Sequence, residues 1–173
     1  MEAFTSERGN LVAKSKKVTK TNAVRLLEQA KVNFSLIEYD SSDGLIDGVS
    51  VAEKTGQKVE TVFKTLVTKA NDKSLHIFIV PVGLELDLKK AAKAATVKKL
   101  DLLPLQDLTK ETGYIRGGCS PVGMKRLYPT FIHQSAQELE KMIVSAGKLG
   151  LQMAVKPADL ITLTKAKVVD ICP

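Results

Sequence analysis

The sequence has few of the residues that carry redox or metal chemistry. Its 173 residues include two cysteines, two histidines and no tryptophan. Two cysteines cannot form the disulfide framework of a small secreted protein, and no Cys-x-x-Cys pair predicts a zinc site. Two histidines are a poor supply of ligands for a catalytic metal. We therefore predict a protein without a metal or cofactor, in a reducing, cytoplasmic compartment.

Long hydrophobic runs are also missing. No segment approaches the 18 consecutive apolar residues that predict a transmembrane helix, so we expect no membrane association. The first 30 residues hold no apolar stretch typical of a secretory signal. Hydrophobic residues nevertheless make up 44% of the chain. This composition and length predict one globular domain with a buried core.

Arginine is scarce in a chain that is otherwise basic. The net charge is +7, and only 4 of the 26 basic residues are arginine. Lysine binds phosphate as a point charge, so the pattern favours electrostatic attachment to a polyanion over the reading of bases. A basic globular protein with solvated lysines is the alternative. Residues 1–20 carry a local charge of +3 and predict a flexible basic extension, followed by a single domain over residues 21–173.

Helices and strands alternate along the domain without a regular period. Thr21, Asp87 and Pro157 are predicted to begin helices, and the spacing of Ser50 and Glu53 predicts a capping box. The predicted strands are 33–39, 61–68, 75–82, 98–102, 130–133, 141–145, 151–156 and 168–171, and a tight turn is predicted over 146–150. The fold class is mixed α/β, with a central, largely antiparallel sheet surrounded by helices.

Lys64 is the first candidate site residue. It lies in the middle of a predicted strand whose two faces are otherwise apolar or small. A lysine in this position costs free energy unless its ammonium reaches water, a carboxylate or an anionic ligand. A lysine at a sheet edge that extends its ammonium into solvent is the alternative interpretation.

The segment Gly117-Gly118-Cys119-Ser120-Pro121 is the second candidate. Two glycines allow the backbone to approach a ligand closely, and free N–H groups can hold a carbonyl oxygen that gains negative charge. The spacing is not that of a P-loop. A plain turn between two elements is the alternative.

Nucleophilic catalysis by the protein itself has weak support. Cys119 would need a base, and His133 is the only histidine that follows it, with no motif that joins them. Ser120 and Ser145 lack the Gly-x-Ser-x-Gly context of a serine hydrolase.

Seven segments, taken in order, resemble the YbaK family of cysteinyl-tRNA(Pro) deacylases, which is related to the editing insertion domain of prolyl-tRNA synthetase. The resemblance covers residues 20–171. The segments are KTNAVRLLEQAKVNFSLIEYD, VFKTLV, LDLKKAAKA, TGYIRGGCSPVGMKR, TFI, VSAGKLGL and PADLITLTKAKVVDI. The resemblance implies a barrel-like sheet, and hydrolysis of cysteine from mischarged tRNA(Pro) without a metal or an established protein nucleophile.

The resemblance also assigns roles to residues. Lys64 matches a strand lysine expected to contact the terminal adenosine or its phosphate, and Gly117, Gly118 and Ser120 belong to the loop that holds the ester. The implied substrate-binding positions are Tyr39, Cys119, Pro121, Ser145, Gly147 and Gln152. The implied partners are the acceptor end of an aminoacyl-tRNA and a complex of prolyl-tRNA synthetase with tRNA(Pro).

Three residues depart from the family's pattern. Gln152 and His133 stand where relatives often carry Asp, and Leu149 stands where they often carry Arg. The preferred amino acid therefore stays open, and a deacylase for Ala-tRNA(Pro) or another aminoacyl-tRNA is one alternative. A module that binds the tRNA end or a synthetase without catalysis is the other. The need for a substrate thiol tests the first alternative, and measurable turnover tests the second.

Overall fold

The computed structural model describes residues 20–173. The predicted basic extension lies outside these residues, apart from Lys20. The elements are α1 (Asn22–Gln29), β1 (Phe34–Glu38), α2 (Gly48–Thr55), β2 (Phe63–Ala70), β3 (Leu75–Pro81), α3 (Leu88–Ala95), β4 (Leu100–Leu102), α4 (Leu105–Thr112), β5 (Thr130–His133), β6 (Met142–Lys148), β7 (Leu151–Val155), α5 (Pro157–Thr164) and β8 (Lys167–Val169), with 3-10 helices at Val59–Thr61 and Gln134–Glu138.

The strands form two sheets. The smaller has the order β1-β7-β6, and the larger has the order β4-β2-β3-β5-β8. Neighbours are antiparallel except for β3 with β5 and β5 with β8, which confirms the prediction of a mixed α/β fold with largely antiparallel pairing. The prediction of one central, barrel-like sheet is corrected, because residues 20–173 form two open sheets rather than a closed barrel. A strand pattern shows which residues share a face, but neighbours are chosen by tertiary packing.

A parallel bridge between Val62 and Ile143 joins the two sheets. Val62 immediately precedes β2, and Ile143 belongs to β6. One face of the larger sheet packs against one face of the smaller sheet and against α1. The buried residues there include Phe63, Ile79 and Ile132 from the larger sheet, and Val144, Met153 and Leu27 from the other elements. The junction therefore brings β2 and β6 side by side above a common core.

The opposite face of the larger sheet is covered by α3. Phe78 and Val80 of β3 pack there against Ala91 and Ala92 of the helix. Every residue of β3 is buried, as its continuous apolar sequence predicts. Asp87 begins α3 by accepting hydrogen bonds from two backbone N–H groups of the first turn.

Helix α2 begins three residues earlier than predicted. Asp47, rather than Ser50, is the N-cap, and its carboxylate accepts a hydrogen bond from the Ser50 N–H. The capping box predicted at Ser50 is therefore wrong. Gly56 ends the helix in the left-handed conformation.

The β6–β7 hairpin also differs from its prediction. The predicted turn over residues 146–150 is wrong, because β6 continues to Lys148 and the turn consists of Leu149 and Gly150. The strand pairing shifts between Ser145 and Lys148, which marks a β-bulge. Gly147 lies within the bulge with φ 107°, and its N–H donates to the Ser145 hydroxyl over 3.1 Å. The bulge thus fixes the orientation of the Ser145 hydroxyl.

Candidate active site

Three predicted site residues share one face of the junction between the sheets. Because side chains alternate along a strand, Lys64 lies on the same face as Val62, and Ser145 lies on the same face as Ile143. The bridge places these two faces side by side. Gln152 is the cross-strand partner of Ser145 and therefore lies on this face as well.

Tyr39 extends the same face on the other side of β7. Ile37 pairs with Gln152 across the β1–β7 ladder, and Tyr39 lies two residues further along the chain. The Tyr39 N–H donates to the carbonyl of Gly150 over 2.9 Å, so the backbone continues along the hairpin beyond the end of β1. Tyr39, Lys64, Ser145 and Gln152, which are distant in sequence, are therefore brought to one face, as the resemblance implies.

Among residues 20–173, the Lys64 ammonium makes one long ion pair. Its Nζ lies 3.9 Å from a carboxylate oxygen of Glu85, whose side chain is 90% exposed. An ion pair of this length and exposure contributes little stability. The Lys64 side chain itself is 29% exposed. β4 pairs with β2 only at Thr68–Ala70, so Lys64 has a ladder partner on the β3 side alone, and the alternative of a lysine at a sheet edge stays open. The ammonium can therefore bind an anionic ligand at small cost.

The glycine loop, residues 117–121, packs directly on the β6–β7 turn. A Cβ added at Gly118 would lie 2.9 Å from the Lys148 Cα and carbonyl carbon. A Cβ at Gly117 would lie 2.7 Å from a methyl carbon of Leu149 and 3.1 Å from one of Ile46, and Gly117 has φ 81°. Both positions therefore require glycine, one for close approach to backbone and one for its conformation as well.

Three backbone N–H groups of the glycine loop are not used in hydrogen bonds among residues 20–173. The Gly118 N–H donates to the Ile115 carbonyl over 3.0 Å, and Pro121 has no N–H. Within residues 20–173, the N–H groups of Gly117, Cys119 and Ser120 have no protein acceptor. Gly117 is exposed, whereas Cys119 and Ser120 are buried, so the role of these N–H groups in holding the ester stays a prediction.

The side chains of Cys119 and Ser120 point into the protein core. Cys119 packs with Val67 and Tyr114, and burial raises the pKa of its thiol to about 12. Such a thiol is protonated at neutral pH and is a poor nucleophile. Ser120 is fully buried, and its hydroxyl accepts a hydrogen bond from the Val122 N–H. The side chain of Ser120 thus shapes the loop.

The His133 side chain, at the end of β5, is held by contacts with Ser135. Its Nδ1 accepts a hydrogen bond from the Ser135 N–H and lies 2.9 Å from the Ser135 hydroxyl. The ring begins the 3-10 helix Gln134–Glu138, where the sequence predicts a capping box at Ser135. Burial lowers the pKa of His133. The Cys–His alternative therefore lacks both a reactive thiol and a base that is free of other contacts.

Gln152 carries an unpaired polar atom. The side chain is 7% exposed, and its amide oxygen has no hydrogen-bond partner among residues 20–173. A buried oxygen in this state costs about 1–3 kcal/mol. Buried polar groups are rarely left unpaired unless a ligand or water completes them. This atom is therefore a candidate acceptor for a donor group of the substrate.

Tyr114 is a site-supporting residue that the sequence analysis missed. Its hydroxyl donates to the Val122 carbonyl over 2.7 Å, and a Cβ at Gly147 would lie 3.0 Å from its ring. The ring thus stands between the glycine loop and the β6 bulge. Burial raises the pKa of its hydroxyl to about 12, so the group stays protonated. The only sequence signal was its place just before the loop.

Lys54 organises a second wall of the site, which the sequence analysis also missed. Its ammonium donates to the carbonyls of Asp40 and Leu45 and to the carboxylate of Asp43, over 2.7–3.0 Å. The hydrogen bond from the Lys54 ammonium to the Asp43 carboxylate lowers the pKa of Asp43. The segment held in this way includes Ile46, which contacts Gly117. The acidic loop, residues 38–47, is thereby fixed against the glycine loop.

Neither a metal cluster nor a spanning helix occurs in the part of the chain that the structure describes. No group of three or more His, Cys, Asp or Glu side chains there could hold a metal ion. None of the described helices has the length and apolar character needed to cross a bilayer.

Known proteins resemble this chain in sequence and in fold. A relative from Enterococcus faecalis, provisionally named Cys-tRNA(Pro)/Cys-tRNA(Cys) deacylase EbsC, is 44% identical over 160 residues, which are 92% of this chain and 98% of the relative. The solved structure of an enzyme provisionally described as trans-editing for prolyl tRNA synthetase is 22% identical, with a TM-score of 0.78 over 90% of this chain and 99% of that chain. The hypothetical protein APE2540 is 17% identical, with a TM-score of 0.79 over 88% of this chain and 100% of that one.

The two solved structures confirm the fold, and the sequence comparison identifies the family. The model of the aminoacyl-tRNA editing domain matches residues 47–163, which include Lys64, the glycine loop and the β6–β7 hairpin. The resemblance found in the sequence is therefore confirmed, and the chain belongs to the family of aminoacyl-tRNA editing domains.

Proposed function

We propose that this protein is a trans-editing deacylase that hydrolyses the ester of Cys-tRNA(Pro), and also that of Cys-tRNA(Cys). The observation that carries the proposal is the glycine loop, which packs on the β6–β7 turn and has three N–H groups without an acceptor among residues 20–173. Donors of this kind stabilise the negative charge that a carbonyl oxygen gains during ester cleavage. The name given to the 44% identical relative supports the substrate.

An editing step of this kind compensates for limited discrimination between cysteine and proline during tRNA charging. Cysteine and proline are close in size, and an apolar pocket separates such ligands by only about 10- to 200-fold. A second site that removes cysteine after charging overcomes this limit. Selection for cysteine would then depend on its thiol, the feature that proline lacks.

The substrate thiol supplies the nucleophile in the proposed mechanism. The thiol loses its proton, and its sulfur attacks the ester carbonyl carbon of the same cysteinyl group. The bond from that carbon to the ribose oxygen breaks, the oxygen takes up a proton, and the tRNA leaves while cysteine departs as a thiolactone that water opens. A free thiol has a pKa of about 8.5 and is held beside the carbonyl, so the protein need only orient the ester and stabilise the oxyanion.

Each predicted residue receives a role in this scheme. Lys64 binds the terminal adenosine phosphate, and the N–H groups of Gly117, Cys119 and Ser120 hold the carbonyl oxygen. The side chains of Ser120, Cys119 and Pro121 maintain the loop, while Gly147 maintains the bulge that orients Ser145. Tyr39 and Ser145 line the pocket that receives the cysteinyl group.

Gln152 is proposed to accept a hydrogen bond from the α-ammonium of the cysteinyl group. For Gln152→Leu we expect KM for Cys-tRNA(Pro) to rise about tenfold, the effect of losing one hydrogen bond to a charged group. The free energy of unfolding should stay the same or increase, because the variant removes an unpaired buried oxygen. Steady-state kinetics and urea unfolding test both expectations, and a loss of stability together with an unchanged KM would contradict the role.

Selection of tRNA(Pro) is proposed to come from a complex with prolyl-tRNA synthetase. The lysine-rich composition favours electrostatic binding over the reading of bases, so the partner would supply the choice of tRNA. The proposed place of action is the cytoplasm, where charging takes place.

The test is amino acid release from Cys-tRNA(Pro), Ser-tRNA(Pro), Ala-tRNA(Pro) and Pro-tRNA(Pro). We expect cysteine alone to be released, because serine has the same shape without the thiol. Release of a thiolactone that can be trapped by hydroxylamine would support the proposed step. Release of alanine would assign a different substrate to the same fold, and binding without release from any of the four would identify a non-catalytic module.

A further inference from the structure

Two segments of opposite charge form the walls of the candidate site. The acidic loop, residues 38–47, contains Glu38, Asp40, Asp43 and Asp47 and no basic residue. The segment 113–126, which contains the glycine loop, has three basic residues and no acidic one. A polyanion that enters this site is therefore repelled by the first wall and attracted by the second.

Two exposed cations stand where the basic wall meets the hairpin. Arg116 immediately precedes Gly117, and Lys148 supplies the backbone atoms that Gly118 approaches most closely. Both residues are exposed. Residues 20–173 offer neither of them a carboxylate within 4.0 Å, whereas Lys54 and Lys90 both have one. The contact between the loop and the hairpin thus brings the backbone of the glycine loop next to that of Lys148, and both exposed cations belong to the place where these segments meet.

We propose that Arg116 and Lys148 form a phosphate-binding pair for the single-stranded 3′ end of the tRNA. This inference rests on the proposed function. An ester held by the glycine loop has its ribose close to these side chains. The phosphodiesters on the 5′ side of that ribose must then leave the site past either the acidic loop or the segment 113–126. The charge of the walls directs them along the Arg116 and Lys148 side, away from the acidic loop.

The experiment uses the full chain and the double variant Arg116→Gln/Lys148→Gln. Its matched control is Lys141→Gln/Lys156→Gln, which removes two exposed cations at the other end of the same hairpin, beside the pair Met142 and Val155. Two substrates are compared, Cys-tRNA(Pro) and 3′-O-cysteinyl adenosine, which has the ester but no phosphate. Binding of a short RNA that ends in CCA is measured by fluorescence anisotropy over a range of salt concentrations.

We expect the double variant to raise KM for Cys-tRNA(Pro) about tenfold and to leave hydrolysis of cysteinyl adenosine unchanged. Each lost contact with single-stranded RNA should flatten the slope of log K against log salt by about 0.7, so the pair should account for about 1.4. The control should retain the slope of the wild-type protein.

Three results distinguish the failures. An unchanged salt slope in the double variant overturns the phosphate-binding pair. Equal losses on both substrates also overturn it, because cysteinyl adenosine has no phosphate to contact. If the wild-type protein hydrolyses neither substrate while the double variant flattens the slope for RNA, the pair stands and the deacylase proposal fails.

Discussion

Replacement of Lys64 by alanine is expected to lower kcat/KM for Cys-tRNA(Pro) about 100-fold. The loss of a charged partner from a mostly desolvated contact costs about 2–5 kcal/mol in a complex, which corresponds to a factor of this order. Lys64→Met should lose as much activity, because it retains the apolar stem and lacks only the charge. The measurement is single-turnover release of cysteine, with tRNA binding followed in parallel.

The Lys64 variants should lose activity without losing stability. The ion pair of Lys64 with Glu85 is long and exposed, so the free energy of unfolding should change by no more than about 1 kcal/mol. Lys69→Ala is the control, since Lys69 lies on the same strand but on its other face, and it should retain full activity. Full activity in both Lys64 variants would remove this residue from the mechanism.

A methyl group at Gly118 is expected to be almost as damaging. The added Cβ in Gly118→Ala meets the backbone of Lys148 at 2.9 Å, and backbone cannot move aside as a side chain does. The glycine loop must lift from the hairpin, which displaces its N–H donors from the ester. A misplacement of about 1 Å costs roughly 100-fold in rate, and overpacking costs about 1–3 kcal/mol of stability.

Gly56→Ala separates these two effects. Gly56 has open space around its Cα and φ 71°, so alanine there strains only the backbone. The expected cost is about 1 kcal/mol of stability with no change in kcat, because this residue ends α2 outside the site. In Gly118→Ala, both kcat and the free energy of unfolding measured in urea should therefore fall. In Gly56→Ala, only the free energy of unfolding should fall. A wild-type kcat in Gly118→Ala would show that the loop tolerates displacement.

The local structure of this protein follows closely from its sequence. Caps such as Thr21 and Asp87 predict their helices because a short side chain satisfies N–H groups only a few residues away. The continuous apolar run of β3 predicts burial on both faces, which the structure confirms. The cap of α2 was misplaced because Asp47 and Ser50 are both good N-caps, and only the three-dimensional structure decides between them.

The long-range features could not be predicted in this way. The bulge after Ser145 depends on pairing between β6 and β7, and the junction of the two sheets depends on the bridge between Val62 and Ile143. Tyr114 and Lys54 support the site through contacts with segments that periodicity does not relate to them. Lys64 and the glycine loop were indicated by the residue pattern, whereas Tyr39 and Gln152 came from the resemblance, and the roles of all of them remain predictions.

The donors of the glycine loop belong to the main chain, and this has an evolutionary consequence. Substitution of a side chain does not remove a backbone N–H, provided that the contact of Gly118 with the hairpin is kept. Gene duplicates can therefore exchange residues at positions such as Gln152 or Tyr39 and acquire a new amino acid preference while they retain ester cleavage. Under the proposed function, selectivity and chemistry would reside in separable parts of the same pocket, so a family built on this plan could diversify in substrate without first becoming inactive.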